Sequence, residues 1–238
     1  AAGPLHSNDY LLLSTMPDLL ALGRVAKRFF EPNVEVTDEI RELAHGLISG
    51  ARSERDKVRV LYNWVTQNIR YVSIPLGEGY LVPHPASKVL HNRYGDCKDH
   101  VVLLESLLKA VGIESSPALI SSGGNQRLSS IGAHYPINHV ITYVPSLDLY
   151  LDSTDPFAPF GTLPLGDLDK PVVLTGLNRL GHTPPMKADD HTSHTEVRMT
   201  VHPDGSISGK ALARRTGYLE IGSRASRFED QSKSMSDV

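Results

Sequence analysis

The sequence predicts an α+β fold, with a helical first half and an antiparallel sheet built from the second. Three observations carry this. Apolar residues recur at helical spacing in three blocks before residue 70. After residue 117, short period-two runs alternate with Pro and Gly turns. Between them the near-continuous apolar run from Val101 to Val111 predicts a central helix buried on most sides. The 238 residues suffice to bury such a core, and 40% apolar against 21% charged residues is the composition of a globular chain.

The elements follow in order. Residues 1–16 read as a leader or junction: Ala1 to Asp9 lack the charged start, apolar run and cleavage site of a secretory signal. A first helix is predicted from about Pro17 to Phe30, on the stripe of Leu19, Leu22, Val25, Ala26, Phe29 and Phe30. Thr37, Asp38 and Glu39 give a capped, acidic start to a second helix, with Ile40, Leu43, Ala44, Leu47 and Ile48 on one face and Gly50 as its stop. Ser53 and Asp56 fit a capping box ahead of a third stripe, Val58, Leu61, Tyr62, Val65 and Ile69. Tyr71 to Pro85, rich in Gly, Pro and aromatic residues, reads as an irregular loop.

Past the central helix, closed by Gly112, Pro117 to Ile120 reads as a strand and Ser121 to Gly132 as a Gly/Ser loop. His139 to Val144 and Leu149 to Asp152 read as a hairpin around Pro145. The prolines between residues 155 and 190 argue for an irregular, linking exit, so the core is expected to span 17–190. Val197, Met199 and Val201, a Pro203-Asp204-Gly205 turn, and Ile207 to Ala213 predict a further hairpin, so 191–238 is expected to hold part of a β-rich module. A lone hairpin is marginal, and flanking β-domains of a longer chain are the expected partners.

Composition narrows the function. A net charge of −3 supplies no basic field to draw nucleic acid. No apolar run approaches the roughly 18 residues a membrane span needs. The single cysteine, Cys97, excludes an internal disulfide and any zinc site built on paired thiolates. His191 and His194 have no third ligand beside them in sequence, and no metal site or cofactor is expected.

Cys97 follows Gly95 and Asp96, and Asp96 is a good N-cap for the buried helix. The thiol then falls on the first turn, where the positive end of the helix favours the nucleophilic thiolate. The ordinary alternative for a lone cysteine is an inert, buried thiol. A nucleophile needs a base, and the base an orienting group. His139 and Asp152 are candidates, because directly opposed hairpin residues have a constant index sum. The sum for this pair centres the turn between Pro145 and Ser146, as a Val144 to Leu147 turn with Pro145 in second position would. Opposed residues share a face, so one imidazole nitrogen could meet the carboxylate and the other the thiol. A one-residue slip would place Asp152 on the wrong face. A strand-end histidine and a turn aspartate without a joint role is the competing reading.

The segments Arg93-Tyr-Gly-Asp-Cys-Lys-Asp99, Asn138-His-Val-Ile-Thr-Tyr-Val144 and Leu151-Asp-Ser-Thr154 resemble the three signature blocks of the transglutaminase-like superfamily, in the order Cys, His, Asp. Tyr62-Asn-Trp-Val65 and Asn68-Ile-Arg-Tyr-Val72 resemble that family's helix before the catalytic loop, so the resemblance covers roughly residues 17 to 160. The run from Tyr71 to His84 and the β-like tail are similar to bacterial members whose core lies between all-β domains. The resemblance implies a papain-like α+β core with Cys97 as nucleophile, His139 as base and Asp152 as orienting acid. It further implies a peptide or protein substrate and a place in the cell envelope or periplasm. Val140 and Ser153 depart from the Ala-Trp after the histidine and the Pro after the aspartate that many members carry.

An oxyanion donor is also needed. The Cys97 backbone N–H is well placed, and a second donor could come from Asn92 or Tyr94, just upstream, unless these simply hold the loop. His84, His91, His100 and His134 read as surface or hydrogen-bonding residues, Trp64 as packing, and Lys98 and Asp99 as decoration of the first helical turn. The expected function is cysteine-dependent acyl transfer on peptide or carboxamide substrates through a thioester, as protease, amidase or transglutaminase. The competing class is a catalytically silent binding or scaffold module.

Overall fold

The structure is a computed structural model describing residues 13–73, 81–123, 132 and 137–236, with side chains as far as residue 228. Most of the leader, the middle of the 71–85 loop, most of the Gly/Ser stretch at 121–132, and His134 lie outside the described residues.

Three helices come first. Helix α1 (Leu19–Phe30) is capped by Asp18, whose carboxylate accepts from the Ala21 N–H at 2.7 Å. Helix α2 (Asp38–Leu47) is capped by the Thr37 hydroxyl and ends in a short 3-10 turn, Ile48–Gly50. Helix α3 (Glu54–Asn68) is capped by Ser53, whose hydroxyl accepts from the Asp56 N–H at 3.1 Å. The reciprocal half of the expected capping box is replaced by a 2.9 Å hydrogen bond from that hydroxyl to the Asp56 carboxylate. Phe30, Ile40, Ala44, Val58, Leu61 and Val65 bury their side chains in one cluster with α5 (Cys97–Ala110). Every residue of α5 from Lys98 to Leu108 is buried, which explains its near-continuous apolar sequence.

The sheet is five-stranded and antiparallel, in the order β5-β4-β3-β6-β7. Its strands are β3 (Ser116–Ile120), β4 (His139–Val144), β5 (Leu149–Leu151), β6 (Pro171–Leu174) and β7 (Arg179–His182). Alternation sorts their side chains onto two covered faces. Leu119, Val140, Val144, Leu151 and Val173 join the helical cluster. Ala118, Ile120, Ile141, Tyr143, Tyr150, Val172 and Leu174 form a second cluster with Leu163 and Leu168 from the segment that leaves β5. Burial on both faces makes β3 and β4 near-continuous apolar runs, which corrects the expectation of period-two alternation there.

Two expectations need correction. Residues 155–190 are not wholly a linking stretch, because β6 and β7 complete the sheet from within it. Pro171 is the first residue of β6, a place where a strand tolerates a missing N–H, so proline density hid a short strand. The hairpin register also differs. Tyr143 faces Tyr150 and Val144 faces Leu149, because the connection is a 3-10 turn at Pro145–Leu147 followed by Asp148 at φ +45° rather than a two-residue turn. The whole pairing shifts by two residues relative to a His139–Asp152 opposition, and an even shift keeps each residue on its face.

Short elements that the sequence does not announce flank the expected loop. Arg70–Tyr71 (β1) pairs in parallel with Tyr94–Gly95 (β2), and helix α4 (Ala86–Asn92) stands between them in sequence. At the other end, β8 (Ser193–Val201) and β9 (Ile207–Arg215) form the expected hairpin, longer than read, and helix α6 (Tyr218–Ser236) follows where the sequence reads as a polar segment.

Candidate active site

The turn that presents Cys97 is held from several directions. Arg93, at φ 60°, ends α4 in the left-handed conformation, and its guanidinium lies 5.0 Å from the centre of the Trp64 ring. The parallel pair continues the hold: the Arg70 N–H donates to the Arg93 carbonyl at 2.9 Å and the Val72 N–H to the Gly95 carbonyl at 2.8 Å. Gly95 is required by a close approach, since a Cβ there would stand 2.5 Å from the Asp99 Cβ.

Asp96 then caps α5, its Oδ1 accepting from the N–H of Lys98 at 3.1 Å and of Asp99 at 3.4 Å. Asp99 returns the interaction by accepting from the Asp96 N–H at 3.2 Å, completing a capping box. The Asp99 carboxylate, buried, also accepts from the His84 N–H at 2.8 Å, with the His84 ring 3.2 Å away. Lys98, buried as well, pairs its ammonium with Asp96. Neither residue is decoration. Asp99 ties the incoming loop, the turn and the helix start together, and Cys97 is the first residue of the helix so fixed.

His139 is the first residue of β4 and faces Ile120 across the ladder to β3. Its neighbour Asn138 fixes that strand end: its side chain accepts from the Ser122 N–H at 2.8 Å and donates to the Ser122 carbonyl at 2.9 Å. Asp152 lies just past β5, with its carbonyl 3.0 Å from the donating hydroxyl of Tyr62 on α3. That hydroxyl also points at the Ala158 carbonyl, 3.1 Å away. The Asp152 carboxylate is divided between two partners. Oδ2 lies 3.0 Å from His139 Nε2, while Oδ1 accepts from the Thr154 N–H at 2.9 Å and the Thr154 hydroxyl at 2.6 Å. Cys97 lies near enough for its side chain to help raise the His139 pKa, and with Nε2 engaged by Asp152, Nδ1 is the nitrogen left to face it.

Burial and pairing oppose each other here. Burial pushes the His139 imidazole down, yet the hydrogen bond and charge of Asp152, then Cys97, hold it well above its ordinary value. Burial pushes the Asp152 carboxyl up, but His139 and the two Thr154 donors hold it below the usual carboxylate range. The pair is therefore poised as imidazolium and carboxylate. His100, one turn along α5, is buried and its Nδ1 lies 2.8 Å from the Ser153 carbonyl, which fastens the strand end carrying Asp152 to the helix carrying Cys97. Burial depresses this imidazole, so it stays neutral and Nδ1 is its donor.

A cleft of about 350 Å³ opens beside the pair, lined by Tyr71, Asn138, His139, Asp152, Asp155 and Asp167 among others. Asp167 was not singled out from the sequence. It sits in the 3-10 turn Leu165–Asp167, with its carboxylate within 4.8 Å of the ligand atoms of His139 and Asp152. Burial, then the charge of Asp152, raises its pKa to about 6, against the opposing pull of His139. Nothing local in the sequence marks this residue, because His139 and Asp152, the groups its carboxylate stands beside, come from β4 and the end of β5. Asn92 and Tyr94 fall elsewhere, lining a separate cavity of about 100 Å³ with His84, Lys88 and Asp99.

Residues 41–135 match the family model described as the Transglutaminase-like superfamily, a range that includes Cys97 and ends before His139 and Asp152. Among solved structures, the chain is similar to a "putative protease" from Parabacteroides distasonis, at 18% identity and a TM-score of 0.55 over 79% of this chain. It also aligns with a "putative cysteine protease" from Cytophaga hutchinsonii, at 17% identity and a TM-score of 0.39 over 78% of this chain. The chain spans 37% of the length of the first and 53% of the second. No curated protein sequence matches it. Over 41–135 the chain is similar to the transglutaminase-like superfamily, and it shares an α+β fold with the first of these structures.

Proposed function

We propose that the chain is a cysteine acyltransferase acting on a peptide or carboxamide carbonyl, with Cys97 as nucleophile, His139 as base and Asp152 as orienting acid. One observation carries the reading: a histidine hydrogen-bonded through Nε2 to a buried aspartate, near a cysteine on the first turn of a buried helix that also raises its pKa. In the first half-reaction Sγ, its proton already carried by His139 Nδ1, bonds to the carbonyl carbon. The carbon–nitrogen bond then breaks, the amine leaves with the proton from Nδ1, and a thioester remains on Cys97. Water or a second amine attacks that thioester and restores the thiol.

Asp152 remains ionised throughout and stabilises the imidazolium. The first N–H groups of a helix have no intrahelical acceptor. Asp96 takes those of Lys98 and Asp99, which leaves the Cys97 N–H for the developing oxyanion. Asn92 and Tyr94 line another cavity, so they are read as holding the loop.

Residues 17–190 are read as the catalytic unit and 191–238 as the start of a second module, since both faces of the β8–β9 hairpin are exposed apart from Ala213. The test is a panel of peptide amides with and without an added primary amine, monitored by mass spectrometry for thioester, hydrolysed and amine-transferred products. A thioester on Cys97 is the expected result, and the products name the acceptor. Turnover by Cys97→Ala at the parent rate overturns the nucleophile assignment, and absence of thioester and product across the whole panel favours the silent binding module.

A further inference from the structure

We propose that His139, Asp152 and Asp167 form a binding site for a divalent transition cation of the zinc class. The nitrogen and the two carboxylates offer one donor atom each, all within 4.8 Å of one another. Donors around a single tetrahedral zinc ion, at bond lengths of roughly 2.0–2.2 Å, stand about 3.3–3.6 Å apart, so small side-chain movements bring these three onto one ion. The three come from one strand end, the residue past a second strand, and a 3-10 turn packed over the same sheet face.

Asp167 carries the argument beyond a cluster of acids. Its side chain belongs to a residue only 1% exposed, and neither of its oxygens has a hydrogen-bond partner of acceptable geometry among the described residues. The Asp152 carboxylate repels its charge, while His139 and the Ser122 hydroxyl favour it. A buried carboxylate beside another carboxylate, with no well-formed hydrogen bond, is a group that a cation would satisfy. The charges around it agree. Asp155 also lines the cleft, and His139 is the single cationic side chain lining it among the described residues. Two carboxylates and a neutral imidazole neutralise a divalent ion, and the 350 Å³ cleft leaves room for water to complete its coordination.

Binding removes the Nε2 proton, which goes to solvent, and puts the metal between His139 and Asp152. The carboxylate that orients the imidazole is then a metal ligand. If the proposed function holds, the cation is a reversible inhibitor rather than a cofactor. The consequence rests on that reading, whereas the binding does not.

The test uses the Cys97→Ala chain, which removes the thiolate as a competing ligand and needs no substrate. Zinc is titrated against it by calorimetry near pH 7.5. One ion per chain is expected, with affinity falling at least tenfold in Cys97→Ala/Asp167→Asn and little changed in Cys97→Ala/Asp155→Asn. Failure to bind, or equal affinity with and without Asp167, overturns the proposal. Zinc-edge X-ray absorption on the Cys97→Ala complex decides the matter independently of whether the Asp167 variant folds. A shell of oxygens with one imidazole is expected, and a shell with two or more imidazoles places the ion elsewhere. None of these outcomes depends on acyl transfer, so loss of the catalytic reading leaves the site testable.

Discussion

Asp152 reaches His139 along a diagonal. The register that pairs Tyr143 with Tyr150 and Thr142 with Leu151 would set Asp152 across from Ile141, two positions from His139 on the same face. Diagonal neighbours on one face of an antiparallel pair lie within reach of long side chains, and the 3.0 Å contact between Nε2 and Oδ2 is made in this way. The geometry lets Asp152 leave the strand, so that the Thr154 N–H and hydroxyl can hold its second oxygen. A directly opposed aspartate, still in the ladder, would lack those donors.

Asp152→Asn tests what this contact does. The amide keeps the shape but loses the charge that holds the His139 imidazole above its ordinary value, so that pKa falls. Nuclear magnetic resonance titration of His139 should show the drop, while acyl transfer is reduced but not abolished. An unchanged titration would mean that the aspartate does not set the imidazole's charge state.

Cys97→Ala should leave the fold intact. The residue is half-buried at the helix edge, and its turn is held by Asp96, Asp99 and the parallel pair rather than by the thiol. Thermal unfolding within a few degrees of the parent is expected, together with complete loss of labelling by an electrophilic acyl probe.

Tyr62→Phe removes one hydroxyl and with it the donor to the Asp152 and Ala158 carbonyls. Both lie in a buried setting, so roughly 1–3 kcal/mol of stability should be lost, read as a shift in the urea midpoint at unchanged slope. Activity should fall as well, because the backbone that carries Asp152 is released from α3.

Glu105 gives the chain a pH-dependent weakness away from the site. It is buried on α5, where it accepts from the Ser115 hydroxyl at 3.1 Å, and burial raises its pKa to about 8 from 4.5. The folded state therefore binds the proton more tightly than the unfolded one. Stability from this group is greatest below pH 4.5 and declines until the pH passes about 8. The full decline is on the order of 3–5 kcal/mol. Glu105→Gln keeps an acceptor for Ser115 and cannot ionise. Its melting temperature should vary less between pH 5 and 9 than that of the parent, and equal slopes would refute the account.

Removing the residues after Asp190 tests the proposed division of the chain. The hairpin side chains are nearly all exposed, and what crosses to the rest is limited to contacts such as the Phe157 and Phe228 rings, 5.8 Å apart, and Tyr218 against the outer cluster. A single cooperative transition, slightly lowered, is the expected result. Collapse of that transition would make the tail part of the first unit.

Much of the fold is written locally. Helices α1, α2, α3 and α5 announce themselves through apolar periodicity, and the last three also through caps at Thr37, Ser53 and Asp96, because those signals act within a turn or two of chain. Asp96 and Asp99 form a capping box that a reading of Asp99 as decoration of the helix start misses. Its second task, receiving His84 from the preceding loop, depends on a fold-back that no local pattern encodes. Strand β6 was obscured by its opening proline, and β7 by side chains such as Arg179 and His182 at an exposed edge.

The sequence by itself determined that a thiol begins a buried helix and that a histidine and an aspartate flank a hairpin, since helix starts and strand parity follow from neighbouring residues. Tertiary structure decided the rest. It set the two-residue register shift through the Pro145–Leu147 turn, assigned the Asp152 oxygens between His139 and Thr154, and buried Asp167 beside them. These outcomes depend on which distant segments share one low-dielectric cleft, and only the packing of the 155–170 segment against the sheet specifies that.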